Sequence, residues 1–306
     1  MDWFNQRVKR ELEQHLNLAG PGRVAVIATP GGRARFKDAL HHFGGKIPVF
    51  SDPSQIGNCR VLAVIGEDIP SARTLHMSLS ALKERGVAVV YCIPERRLAT
   101  APPGRENSGL QYEGMFRLAS QYAPTAGRGS YVEFGVFDGR STILAFHTLG
   151  GVCDRFFAFD SFQGIGGVLD SETTHYKDGQ YYANLETFDY NLRFAGVDAA
   201  RVIAVPGFFE ESLRGKRPED FGIKKATVVH IDTDVSEPAL TALEFISPAL
   251  PQGALLLFDD YDQLAASNDK GERRAVREWL KAHPEFEIEP YREYATFSRS
   301  FIVHRR

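Results

Sequence analysis

Two successive α/β units, each built on a parallel β-sheet, are the architecture that this 306-residue chain predicts. Three observations carry it. From residue 23 onward short β-branched apolar runs alternate with helical stretches, the pattern of strands joined by right-handed crossovers. The alternation breaks once, at a segment rich in proline and glycine. It then resumes with longer and more apolar strands, as expected for sheet interior covered on both faces.

Before the first strand, Trp3, Phe4, Val8, Leu12 and Leu16 recur at helical spacing until Gly20-Pro21-Gly22 stops the run. Glu11 and Glu13 dilute its basic residues, so it reads as a helix docked on the body and not as a membrane anchor. RVAVIAT, IPVFSD, RVLAVIG and VAVVYCI read as strands, and ARFKDALHHFG and SARTLHMSLSALKERG as helices. Residues 1–95 therefore form an N-terminal helix plus a small α/β, Rossmann-like auxiliary unit. Its turn, ATPGGRARF, is interrupted by Pro30, so a structural or dimerising role is expected ahead of nucleotide binding, and a homo-oligomer is one expected assembly. His41 and His42 read as surface. PERRLATAPPGRENSG supplies the linker, placed at 96–107.

The second unit, 108–306, opens with the helix LQYEGMFRLASQYA. GSYVEFG, RFFAFDS, RVIAVPG, ATVVHID, GALLLFDD and SFIVHR follow as strands. RSTILAFHTLG, a stretch ending near Phe194, EPALTALEFISPAL and GERRAVREWLKAH are the helices between them.

With a net charge of -3 and 43% hydrophobic residues, the chain has no basic field for nucleic acid and the make-up of a globular protein that handles small molecules. No apolar stretch approaches the ~20 residues that a membrane span requires, and no signal-peptide core is visible. Cys59, Cys92 and Cys153 are scattered and form no CxxC pair; a reducing cytoplasm is the expected compartment.

Chemistry concentrates in the second unit. In YVEFGVFDGRS a strand turns through Gly135 and Gly139 into a helix whose free N–H groups suit an anion, with Ser141 able to add a hydroxyl. The spacing is not the dinucleotide GxGxxG. Asp160 ends the next strand, where an acidic side chain can take both hydroxyls of a ribose; capping its own loop is the plainer role. Further on, Asp232 and Asp234 end one buried strand and Asp259 and Asp260 the next. Strand ends of an open parallel sheet converge on one crevice, so these four carboxylates should share a small volume. Clustered anions raise one another's pKa unless a cation joins them, and an all-oxygen set points to Mg2+, with Mn2+ or Ca2+ as variants.

EFGVFDGRS, FDSFQGIG, VPGFFEESL, HIDTDVSEPALTALEFISPALPQG, LFDDYD and GERRAVREWL stand in the order typical of the macrocin O-methyltransferase family, which the chain resembles over residues 108–290. That family includes enzymes that methylate the antibiotic sugars mycinose and noviose. The resemblance implies a Rossmann-like S-adenosylmethionine methyltransferase domain. It implies that Glu133, Gly135 and Ser141 hold the methionine portion of S-adenosylmethionine and Asp160 its ribose, with Ser161 and Phe162 flanking. Phe208 and Phe209 would lie near the adenine, Asp232, Asp259 and Asp260 would ligate Mg2+, and Asp234 would be the general base. The implied partner is a small hydroxylated acceptor such as a sugar-bearing metabolite. The chain departs from the family at Ser236, where Tyr is common, and at its ending Phe301-Ile302-Val303-His304.

Methyl transfer to a sugar hydroxyl suits this residue set. A sulfonium methyl needs chiefly alignment, whereas a hydroxyl needs a cation to acidify it and a carboxylate to take its proton. His175, in the tyrosine-rich loop TTHYKDGQYY, is the second candidate for base, weighed against an ordinary surface histidine. His230 reads as a packed strand residue. A glycosyltransferase using Asp232-Thr233-Asp234 as a DxD motif, a phosphatase with Asp232 as nucleophile, and a non-catalytic cofactor-binding scaffold are the rival readings.

Overall fold

The computed structural model describes residues 3–66, 69–91 and 112–306, without the side chains of Trp3, Phe4, Ile69, Pro70, Arg73, Met77, Tyr112 and Glu113. Cys92 and the expected linker 96–107 lie outside the described residues. The chain divides into two compact units, residues 1–99 with 182–196, and residues 100–181 with 197–306.

In the first unit the apolar face of α1 (Trp3–Ala19) buries Val8 and Leu12 against Val24 and Val26 of β1 (Val24–Ala28). The helical stretch after β1 is two short helices, α2 (Pro30–Arg35) and α3 (Lys37–His42), separated at Phe36. His41 and His42 are exposed, as their charge pattern suggests. β2 (Val49–Phe50), β3 (Val61–Ile65), α4 (Ile69–Met77), α5 (Ser80–Lys83) and β4 (Ala88–Tyr91) follow. The four strands pair in parallel in the order β2-β1-β3-β4.

One element of this unit comes from far along the chain. Segment 182–196, with α8 (Leu185–Phe194), closes on β4. Asn184 Nδ2 donates to Lys83 O (2.7 Å) and Val87 O (3.2 Å), and Val89 N donates to Thr187 Oγ1 (2.9 Å). On the same helix Tyr190 joins the core of β1 and β3, its hydroxyl 2.7 Å from His15 Nδ1. The sequence places one change of unit, at 96–107; the structure adds this second crossing because polar groups of α8 satisfy backbone at and before β4.

The second unit runs through α6 (Tyr112–Ala126), β5 (Gly129–Phe134), α7 (Arg140–Leu149), β6 (Cys153–Asp160), β7 (Val202–Pro206), α9 (Phe209–Ser212), β8 (Ala226–Ile231), α10 (Ser236–Ile246), β9 (Leu255–Phe258), α11 (Gln263–Ala266), α12 (Gly271–Ala282), β10 (Phe286–Glu293) and β11 (Arg299–Arg305). Its seven strands lie in the order β10-β11-β9-β8-β5-β6-β7, mixed because β11 runs antiparallel to both neighbours. Alternate residues face opposite layers. Val132, Phe134, Val229, Ile231 and Leu256 pack with α10 and α12, whereas Tyr131, Val228, Leu255 and Leu257 pack with α6 and α7. Two-sided cover accounts for the unbroken apolar runs. β10 is absent from the sequence reading because Pro290 interrupts it; it is an edge strand with a register shift after Pro290, where a missing N–H is tolerated. Among the described residues no helix is long and apolar enough to cross a membrane.

Candidate active site

β5 is the first strand of its sheet, β6 and β7 extend to one side of it, and the chain then returns to place β8 on the other. Such a reversal opens a ligand crevice at the carboxyl ends of the strands. The backbone ladder continues one residue past each strand here. Gly207 N donates to Asp160 O, Gly135 N to Phe159 O, Asp232 N to Phe134 O and Asp259 N to Ile231 O, at 2.8–3.0 Å. Asp160, Gly135, Asp232 and Asp259 thus form a row along the sheet edge. Asp160 and Asp232 are two strand spacings apart, roughly 10 Å.

Gly135 sits where the row is tightest. Its φ is +83°, and a Cβ there would lie 1.8 Å from Asp232 O, so only glycine lets the two strand ends meet. The turn ends at Gly139, in the left-handed region, which caps α7 without a side chain. Asp160, half-buried, binds this turn: its Oδ2 accepts from Val136 N (2.7 Å) and Phe137 N (3.0 Å), and its Oδ1 from Phe162 N (2.7 Å). Burial pushes the Asp160 carboxyl above its ordinary pKa, and the three N–H bonds oppose that. A carboxylate has about four acceptor sites, so one remains on Oδ1, enough for one hydroxyl.

Other expected cofactor residues divide. Ser141 is half-buried in the first turn of α7. Ser161 serves its own loop, donating to Gly164 O and accepting from Gln163 N, and Phe162 is buried beside it with φ +53°. Phe208 is half-buried against Gly166, whose Cβ would meet the ring at 2.5 Å. Phe209 instead points into the core, edge-on to Phe134. Glu133 is also turned inward: it is fully buried, accepts from Thr142 Oγ1 and lies 3.1 Å from His230 Nδ1. The structure therefore gives Glu133 the work of tying α7 to β8, and His230 is the packed strand residue expected of it.

The carboxylates do assemble. Asp232, Asp259 and Asp260 each offer an oxygen within 4.8 Å of the others. Asp234, in the left-handed region at φ +63°, shares a hydrogen bond with Asp260. Burial, followed by the charges of Asp259 and Asp234, holds the Asp232 carboxyl well above the usual range; burial and Asp260 do the same for Asp234. Asp260 is pushed up to about 6, again mainly by burial. Hard oxygen donors that repel one another unless a cation intervenes fit Mg2+.

Two supporting residues, Ser298 and Glu272, escaped the sequence reading, and a third, Tyr176, was legible there only as one tyrosine of the loop TTHYKDGQYY. Ser298 Oγ, from the β10–β11 turn, donates to Asp259 Oδ1 (2.9 Å). Glu272, fully buried in the first turn of α12, accepts from Thr233 N (3.4 Å) and Asp260 N (3.0 Å), coupling both carboxylate loops. Tyr176 is buried, and its hydroxyl lies 3.4 Å from Asp260 Oδ2. Its neighbour His175, the expected second base, is exposed and bonded to Thr174 Oγ1 (2.8 Å). The one available signal was Glu272 itself, an acid in the first turn of a helix after LFDDYD.

The chain is similar to known methyltransferases. The family model for macrocin O-methyltransferase (TylF) matches residues 119–284. An 8-demethyl-8-(2,3-dimethoxy-alpha-L-rhamnosyl)-tetracenomycin-C 4'-O-methyltransferase from Streptomyces olivaceus is 30% identical over 143 residues, 44% of this chain. The match spans about half, 53%, of that relative. The solved O-methyltransferase NovP is similar with a TM-score of 0.52 at 21% identity, over 63% of this chain and 79% of its own, a likeness of fold. A calicheamicin methyltransferase gives 0.48 at 19% identity, over 77% and 93%.

Proposed function

This chain belongs to the macrocin O-methyltransferase family, and on that premise we propose that it methylates a sugar hydroxyl flanked by a second oxygen, using S-adenosylmethionine and Mg2+, in the biosynthesis of a glycosylated natural product. The observation that carries the reading is the row Asp160, Gly135, Asp232, Asp259, which sets a ribose-type acceptor site beside a carboxylate cluster.

Asp160 Oδ1 would take a ribose hydroxyl, and the glycine-capped start of α7 at Ser141, next to the Arg140 N that donates to Asp138 Oδ1 (3.3 Å), would take the carboxylate of the methionine part. Asp232, Asp259 and Asp260 would hold the metal. When bound, the sulfonium supplies an electrophilic methyl and the cation lowers the pKa of vicinal hydroxyls. Asp234 is the proton acceptor: its burial beside Asp260 raises its proton affinity, which strengthens it as a base. Ser298 and Glu272 fix the carboxylates, so the nucleophile's direction is set by the chain before the acceptor arrives. The relative's name specifies a rhamnosyl acceptor, which makes a deoxyhexose the first class to try.

The test is incubation with S-adenosylmethionine and MgCl2 against a rhamnosylated aglycone, a nucleotide-activated deoxyhexose and a catechol, read by mass spectrometry. A mass gain of one methylene unit on a sugar, abolished by EDTA, is expected. Methylation of the catechol alone would overturn the sugar assignment. S-adenosylhomocysteine binding without turnover on any acceptor would favour the non-catalytic scaffold.

A further inference from the structure

Segment 161–181 contains no helix of eight residues and no strand, and most of its middle is exposed, yet two of its side chains there, Glu172 and Tyr176, are buried. It closes on itself, with Ile165 N donating to Gln180 O and Gly179 N to Ile165 O, both at 2.8 Å. Within that neck a single turn forms, in which His175 N (3.0 Å) and Tyr176 N (3.2 Å) donate to Glu172 O. Side chains four apart on such a turn share a face. Glu172 and Tyr176 accordingly point inward, and Thr173, Thr174 and His175 point to solvent.

Glu172 is fully buried, a costly place for a carboxylate unless hydrogen bonds receive it. Gly271 N donates to its Oε1 at 2.7 Å and Ser236 N at 3.3 Å. Those two N–H groups open α12 and α10, the helices that follow the two carboxylate-bearing strands, and their positive ends favour an anion. Tyr176 packs with Val235 and Leu264 and brings its hydroxyl to Asp260. One turn of chain thus bridges both helix starts and the carboxylates.

We propose that Glu172 is a positioning residue: docked on the starts of α10 and α12, it holds the Tyr176 hydroxyl against the Asp234–Asp260 pair and so presets the proton-accepting side of the site. The role in turnover rests on the methyl-transfer reading above; the docking itself does not. A carboxylate serving only to cap two helices would stabilise the unit without acting through Tyr176.

The experiment uses the full chain as wild type, Glu172→Gln, Tyr176→Phe and the double variant. Without any ligand, hydrogen exchange at the Ser236 and Gly271 amides should quicken about tenfold or more in Glu172→Gln and stay at the wild-type rate in Tyr176→Phe. The ring 13C signal of Tyr176, assigned by its loss in Tyr176→Phe, should move toward the free-tyrosine position in Glu172→Gln. Each single variant should lower kcat about tenfold with S-adenosylhomocysteine affinity nearly unchanged, and the double should be no slower than Glu172→Gln. Unchanged amide exchange, an unmoved Tyr176 signal, or losses in kcat that multiply would each overturn the proposal. Wild-type protein that methylates nothing, while exchange and the Tyr176 signal respond as expected, would defeat the functional reading and leave the positioning role intact.

Discussion

Both sheets of this protein solve the same topological problem, and among the described residues only the second gathers a cluster of carboxylates where the solution is made. In the first, β1 lies between β2 and β3; in the second, β5 lies between β6 and β8. In each, a glycine after the first strand presses on backbone at the end of the strand across the reversal. A Cβ on Gly32 would meet Ile65 O at 2.7 Å, as one on Gly135 would meet Asp232 O at 1.8 Å. Beyond that the two diverge. Thr29 caps α2 with its own side chain, accepting from Gly32 N, and Asp52 is spent on Ser54 N. α7 has a glycine cap, and half-buried carboxylates line the neighbouring strand ends. A glycine turn therefore marks the reversal among parallel strands in either unit, whereas charge left for a partner to neutralise marks the site.

The largest expected effect concerns that charge. Asp232→Ala should reduce turnover at least ~100-fold while S-adenosylhomocysteine affinity stays within about threefold. Calorimetry and initial rates check this; normal methylation by the variant would remove the metal mechanism.

Substituting the paired glycines sharpens the contrast. Gly135→Ala, with both a backbone clash and φ +83°, should cost more than about 3 kcal/mol or prevent folding. Gly32→Ala should cost about 1–3 kcal/mol and leave kcat per folded molecule unchanged. Denaturant melts with an activity assay on the soluble fraction distinguish the two.

The units should also respond to pH with opposite sign. His15, desolvated in the first unit, is lowered to about 4, so between about pH 4 and 6.5 the unfolded chain binds more protons and stability rises with pH. In the second unit the metal-free carboxyls are raised, Asp260 to about 6 and Asp232, Asp234 and Glu272 further. There the folded state holds the extra protons, and stability falls as pH climbs from about 4 through 6 and beyond. Hydrogen exchange followed separately in α1 and α12 from pH 4.5 to 7.5 should show the divergence, and Mg2+ should cancel the fall in α12. Parallel trends would mean that the carboxylates do not repel as their burial implies.

The smallest effect is assigned to His175. Its ring is exposed and served by Thr174, so His175→Ala should change kcat less than about threefold in a steady-state assay. A larger loss would restore it as a base.

Much of this was legible in the residues themselves. Strand and helix periods are local, so the alternation, the glycine turn and the four aspartates at strand ends could be read directly, and sheet convergence then predicted their meeting. What a side chain touches is not local. α8 could be read as a helix ending near Phe194 but not as one that β4 would receive, and Pro290 hid an edge strand that a partner's register makes good. Glu133 and Phe209 sit one residue's alternation or one turn from the crevice, a difference that flips a side chain from ligand to core. Nothing in the local sequence around Glu172 and Glu272 marks them as buried. Only the packing of α10 and α12 onto the sheet surrounded them with backbone N–H groups and no water, and burial is a property that no stretch of sequence possesses alone.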